Sequence, residues 1–119
     1  MRTENIIYSA LAPGTPETFT GTLGTYTIST TNHNLTGMGA TMRIWRNGLA
    51  PTAAADVTAT QASGITPGTS GQIVLNLVTI NSALNAVSTT ESVWHYSLEI
   101  THTGTLVHVC SGYLIRTLT

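Results

Sequence analysis

The segment from Val93 to Ile115 constrains this chain more than any other. It reads as a β-hairpin: Val93-Trp94-His95-Tyr96-Ser97-Leu98-Glu99-Ile100, a turn at His102-Thr103-Gly104-Thr105, then Leu106-Val107-His108-Val109-Cys110-Ser111-Gly112-Tyr113-Leu114-Ile115. Apolar and polar residues alternate along the first arm, the period of a half-buried strand. Trp94, Tyr96, Leu98 and Ile100 fall on one face; His95, Ser97, Glu99 and Thr101 fall on the other. A two- or four-residue loop centred on Thr103-Gly104 sets Ile100 opposite Val107, Leu98 opposite Val109 and Trp94 opposite Tyr113. It also pairs Glu99 with His108 and faces His95 with Gly112. A slip by one residue turns every side chain to the wrong face. A lone hairpin is marginal in water, so the Trp94 face needs a tertiary cover.

The rest of the chain supplies that cover. Alternation recurs through Phe19, Leu23, Tyr26 and Ile28, and again from Ala40 to Arg46. In the latter, Ala40, Met42 and Ile44 point one way and Thr41, Arg43 and Trp45 the other. Asn47-Gly48 is a turn signal, since both residues tolerate positive φ. Val57 to Thr60 reads as an edge strand or loop, Ile65 to Gly71 as a turn, and Gln72 to Val78 as a strand with Ile73, Leu75 and Leu77 inward. Thr79 is placed to N-cap one helical turn through Asn85, with Ala83 and Leu84 plugging the end of the core. Arg116 to Thr119 reads as a tail. The sum is about six to eight short strands and one helical turn, the pattern of an antiparallel, immunoglobulin-like β-sandwich, with a closed barrel as the second choice. Residues 1–17 form an N-terminal arm or edge strand plus loop, and residues 18–119 a single sandwich domain. The prolines and glycine around Pro13-Gly14-Thr15-Pro16 bar regular structure between them.

At 119 residues, one core without staples is enough, since a domain of this size buries roughly 60–70% of its unfolded surface. The single Cys110 allows no internal disulfide and reads as a small core residue. Only 8% of residues are charged and lysine is absent, while threonine takes 24 positions. Such a surface is polar without charge. Four arginines make no basic stripe, which argues against nucleic acid as a partner. No apolar run reaches the ~18 residues of a membrane span, and Met1 to Ala10 lack the charged-then-apolar pattern of a signal segment, so entry to a secretory pathway is not expected.

Candidate chemistry is sparse. His95 and His108 share a strand face with Glu99, but without close metal-ligand spacing, so no metal or other cofactor is expected. The carboxylates Glu4, Glu17, Asp56, Glu91 and Glu99 form no pair at a defined spacing, and Ser97, His95 and Asp56 lack a nucleophile elbow. No catalytic residue is assigned and the chain is read as a non-enzyme. Trp45, beside Arg43 and Thr41, reads as an exposed aromatic of the kind that anchors protein interfaces. Carbohydrate stacking on the aromatics is the competing use.

An ordered set of motifs points further. Leu35-Thr36-Gly37 leads into Ala40-Thr41-Met42-Arg43-Ile44; Gly71-Gln72-Ile73-Val74-Leu75-Asn76-Leu77 precedes a helical segment; Tyr96-Ser97-Leu98-Glu99, a glycine turn and Ser111-Gly112-Tyr113-Leu114-Ile115 close the chain. Over residues 35–115 this order resembles small immunoglobulin-like β-sandwich domains of tailed-bacteriophage virion proteins, among them the N-terminal domains of upper baseplate proteins. Those domains commonly carry Asp where Ser97 stands and Asp-Gly where Thr103-Gly104 stands, and the segment before Leu35 matches poorly. The resemblance implies a structural virion protein, placed in the tail or baseplate as an adaptor for a fibre or receptor-binding protein. Its partners would be other virion proteins and copies of itself. Ile6, Ile7 and Tyr8 in the arm, with Arg43, Trp45 and Arg46, are the expected interface residues. A capsid-surface decoration protein and a carbohydrate-binding module that reads host glycans are the alternatives.

Overall fold

The computed structural model describes residues 2–3, 5–11, 17–19, 35–47, 54–61, 63–68, 72–102 and 105–118. These form nine strands and one helix: β1 (Arg2–Thr3), β2 (Ile6–Ser9), β3 (Glu17–Phe19), β4 (Gly39–Arg46), β5 (Val57–Gln61), β6 (Gly64–Pro67), β7 (Ile73–Leu75), α1 (Leu77–Val87), β8 (Val93–His102) and β9 (Thr105–Thr117). The all-β expectation holds. The strands belong to one mixed sheet in the order β1-β9-β8-β4-β5-β6-β7-β3, with β2 continuing along β9 beyond β1. The expected two-sheet antiparallel sandwich is not confirmed: among the described residues the sheet is single and mixed. β1 and β2 run parallel to β9, and β5 runs parallel to β6. Period-two alternation is the same for parallel and antiparallel neighbours, so the pattern carries no direction.

The sheet must curl, and chain length shows why. β2 ends at Ser9 and β3 begins at Glu17, yet they lie on opposite edges. Eight residue steps reach at most about 29 Å. A flat sheet would separate those edges by seven strand spacings, about 33 Å before any offset along the strands. The sheet bends into a half-barrel, and α1 packs against the inner side of β5 and β6. Among the described residues, curvature of the one sheet and the helix enclose the core.

The central hairpin forms as expected at its tip end and differs at its base. Ile100 pairs with Val107 and Glu99 with His108, but Leu98 then pairs with Cys110, Tyr96 with Gly112, His95 with Tyr113 and Trp94 with Leu114. A β-bulge at Val109 shifts the register by one. The reason lies in the second arm. Val109 and Cys110, adjacent in sequence, are both buried, and Leu114 must also face the core. The apolar phase therefore changes from odd to even numbers at Val109, and a bulge absorbs such a phase change. Without it, Tyr113 would be forced inward and Leu114 out.

The inner face gathers Ala40, Met42 and Ile44 of β4, Tyr96, Leu98 and Ile100 of β8, Ile73 and Leu75 of β7, and Ile6 and Tyr8 of β2. Three further segments depart from the sequence reading. Residues 64–67 are a strand between β5 and β7, which makes β5 interior rather than an edge. Gly64, at φ +104°, supplies the backbone turn that allows β6 to follow β5 closely. The helix is a full α1 of 11 residues, because Leu77, Ile80, Asn81 and Leu84 recur at helical spacing and are all buried. The expectations for residues 20–34, for Gly48 and for the hairpin turn at 103–104 fall outside the described residues.

The helix begins at Asn76 rather than at Thr79. Asn76 Oδ1 accepts from the backbone N–H of Val78 at 3.1 Å and of Thr79 at 3.2 Å, satisfying two of the donors that a helix start leaves unpaired. Replacing Asn76 with alanine is expected to cost about 1 kcal/mol. In a domain of this size the melting temperature should fall by roughly 3–5 °C, which a thermal melt followed by circular dichroism will read.

Candidate interaction surface

The convex face of the sheet is the candidate surface. Its rows follow from the register. Trp45, His95 and Tyr113 lie abreast across β4, β8 and β9, and Arg43, Ser97 and Ser111 lie in the next row. Thr41, Glu99 and His108 follow. On the other side of the aromatic row, Val93, Ile115 and Ile7 continue the face to the sheet edge.

Two lobes of a groove cross this face. One, of about 480 Å³, is bounded by Trp45, His95, His108 and Tyr113, with Ser97 and Ser111 between them. The other, of about 460 Å³, lies between Trp45, Ala55, Thr58 and the Arg43–Glu99 pair. Trp45 and Ser97 line both lobes. The Arg43 guanidinium donates to Glu99 Oε1, closing an ion pair within the groove. His95 Nε2 is 3.0 Å from Asn47 Oδ1, and its ring stands 4.6 Å from that of Tyr113 at a 44° tilt. His108 Nδ1 is sealed from solvent with no hydrogen-bond partner, alone in this among the described residues. Such an atom costs on the order of 1–3 kcal/mol.

The expected interface residues are dispersed. Ile6 and Tyr8 point inward and belong to the core, so the N-terminal segment is an edge strand of its own sheet there. Trp45 is 5% exposed, and the expectation of an open aromatic anchor is corrected. Alternation placed it properly on the face opposite Met42 and Ile44, but outward is not the same as exposed where that face is itself crowded. Arg43 is half-buried in its ion pair. Arg46 is exposed, its backbone N–H and Nε both donating to Asp56 Oδ2 at 2.8 and 3.4 Å. Ile7 is 70% exposed, and β9 and β8 separate it from the β4 residues. Sequence reasoning passed over Tyr113, which is 42% exposed, and Leu11, which is 72% exposed. Tyr113 was hidden because the unbulged register sets it against Trp94.

Behind this surface lies a buried polar network that apolar patterning does not reveal. Arg116, read as tail, is fully buried on β9. Its Nε donates to the Glu91 carbonyl at 2.8 Å, its Nη1 to Asn85 Oδ1 at 2.6 Å and Asn81 Oδ1 at 3.2 Å, and its Nη2 to the Ser88 carbonyl at 2.6 Å. α1 carries no basic residue in its last turn; the guanidinium of β9 takes that place beside the negative end of the helix dipole. The clue in the sequence was alternation carried two residues past Leu114.

Tyr8 completes the network, its hydroxyl donating to Asn81 Oδ1 at 2.7 Å. Burial pushes the phenol up to about 12, although the nearby Arg116 guanidinium pulls it down. The folded state therefore holds this proton more tightly than the unfolded chain, whose phenol titrates near 10. The resulting stability is fully present below pH 10 and is lost as pH rises from 10 to about 12, a fall on the order of 2 kcal/mol. Tyr8→Phe is expected to flatten that limb of the stability curve, as urea unfolding of both proteins across the same pH range will show.

The geometry thus defines an all-β protein built on one curled mixed sheet, with a grooved convex face and an apolar edge. No protein family, no curated protein and no solved structure matches this chain. No cluster of three metal-ligating side chains occurs among the described residues. No helix among them is long and apolar enough to cross a membrane.

Proposed function

We propose that this chain is a non-enzymatic structural component of a tailed-bacteriophage virion, an adaptor of the tail or baseplate that seats a fibre or receptor-binding protein through protein–protein contacts. The ordered motifs between Leu35 and Ile115 suggest the setting, and the observation that carries the adaptor role is the open edge of β2. This strand is hydrogen-bonded to β9 on one side, and no strand pairs with its other side among the described residues. Ile7 stands exposed on this strand, and Leu11 just beyond it. An apolar edge of this kind is a template for strand addition unless a partner covers it. The sparse charge of the chain gives it little other protection.

Copy number tests the reading. Quantitative mass spectrometry of purified particles is expected to find this chain at about a dozen copies or fewer, the stoichiometry of a cyclic tail assembly. A ratio near unity to the major capsid protein would replace the adaptor by a decoration protein. Absence from particles would remove the virion setting. Ile7→Lys places a charge on the edge, where it should leave stability within about 0.5 kcal/mol yet block incorporation; normal incorporation would move the contact elsewhere.

A further inference from the structure

We propose that the convex groove is a binding site for a neutral oligosaccharide, a function separate from the edge contact proposed above. Both lobes carry aromatic or apolar surface beside neutral or internally neutralised polar groups. Tyr113 offers an accessible ring beside His95, and Trp45 lines both lobes. Ser97 and Ser111 bring hydroxyls, and the paired Arg43 and Glu99 bring donors and acceptors.

The chemistry excludes other small ligands in turn. An apolar ligand would cover the Ser97 and Ser111 hydroxyls without replacing their bonds to water, which is unfavourable. A phosphate-bearing ligand needs an unneutralised cation, and Arg43 is already paired with Glu99. What remains is a molecule with an apolar ring face and a rim of neutral hydroxyls. His108 lines the first lobe, and a hydroxyl both donates and accepts, so it can bond an exposed ring nitrogen in either tautomer. The lobes run across β5, β4, β8 and β9, three strand spacings or about 14 Å, which accommodates a short oligomer rather than one ring. Strands rather than loops hold the β4, β8 and β9 side chains, as a preformed site requires.

The test uses the intact chain and a panel of neutral tetrasaccharides built from glucose, galactose, mannose and N-acetylglucosamine. Binding is read from tryptophan fluorescence and checked by saturation-transfer NMR. At least one member is expected to bind saturably, with Tyr113→Ala weakening it about tenfold or more. Val87→Ser, on α1 and outside the groove, should bind as the wild type does. Glu99→Gln keeps the shape of the second lobe and should also weaken binding, which covers the case in which Tyr113→Ala fails to fold. No binding by any tetrasaccharide at millimolar concentration would overturn the proposal. So would binding that neither groove variant weakens, or occupation of the groove by a virion protein alone. Copy number in particles is independent of all these outcomes, so the two readings can fail separately.

Discussion

Arg116→Met is expected to destabilise the protein by about 3–5 kcal/mol, the range for breaking a buried charged network from one side. Methionine nearly matches the volume but donates nothing. It would remove one donor from Asn81 Oδ1, Asn85 Oδ1 and the carbonyls of Ser88 and Glu91, of which the Glu91 carbonyl keeps the Trp94 indole N–H. An acceptor stripped in this way costs its desolvation, about 1–3 kcal/mol when fully buried. The four are not equal. Asn81 keeps the Tyr8 hydroxyl, and Asn85 lies at an exposed position where water can replace the guanidinium. Their sum is accordingly held below four full penalties. Lysine at 116 should recover only part of the loss, because a compact ammonium cannot reproduce the fork that spans these acceptors. Urea unfolding will measure it as a shift in midpoint at constant slope. A midpoint unchanged in Arg116→Met would mean that the cost of burying the cation cancels its hydrogen bonds, leaving it a device for fixing one arrangement of helix on sheet.

Trp94→Ala is the second large effect, also about 3–5 kcal/mol. The indole is fully buried at the base of β8, and its Nε1 donates to the Glu91 carbonyl at 3.1 Å, the same oxygen that Arg116 uses. The Arg116 guanidinium carbon lies 5.6 Å from the ring centroid, so the indole also supplies the face over which the cation is buried. Truncation removes packing, a hydrogen-bond donor and that cation–π contact together. Trp94→Phe should cost less, because it keeps an aromatic ring in place. Arg116→Met and Trp94→Ala share partners, so the double variant should lose less than the sum of the two, by about 0.5–3 kcal/mol. Strict additivity would show that the two side chains act independently despite their contact.

These two residues mark how far alternation can be read. Trp94, Tyr96, Leu98 and Ile100 were legible as a core face because each apolar residue is followed by a polar one, and all four are buried. Arg116 obeys the same alternation, but a cation on an inward row looks like the end of a strand until four acceptors are found for it. Trp45 is the reverse case. Its side of the sheet was legible and its exposure was not, because shielding comes from neighbours on other strands. The groove was partly legible, since His95, His108, Glu99 and Ser97 share a face in sequence. Adding Tyr113 to it required the bulge.

The sequence by itself determined the strand-rich character of the protein, the inward faces of β4 and β8, the hairpin register from Ile100 to Glu99, and a surface nearly without charge. Each of these rests on near neighbours in the chain or on composition. Only the tertiary structure decided that one sheet curls instead of two stacking, that β2 lies parallel to β9, and that α1 runs a full 11 residues from an Asn76 cap. The physical reason is that these features depend on contacts between distant segments. Tyr8 and Asn81 are 73 residues apart in sequence and 2.7 Å apart in space, and period-two alternation has no term for the direction or identity of a strand's neighbour.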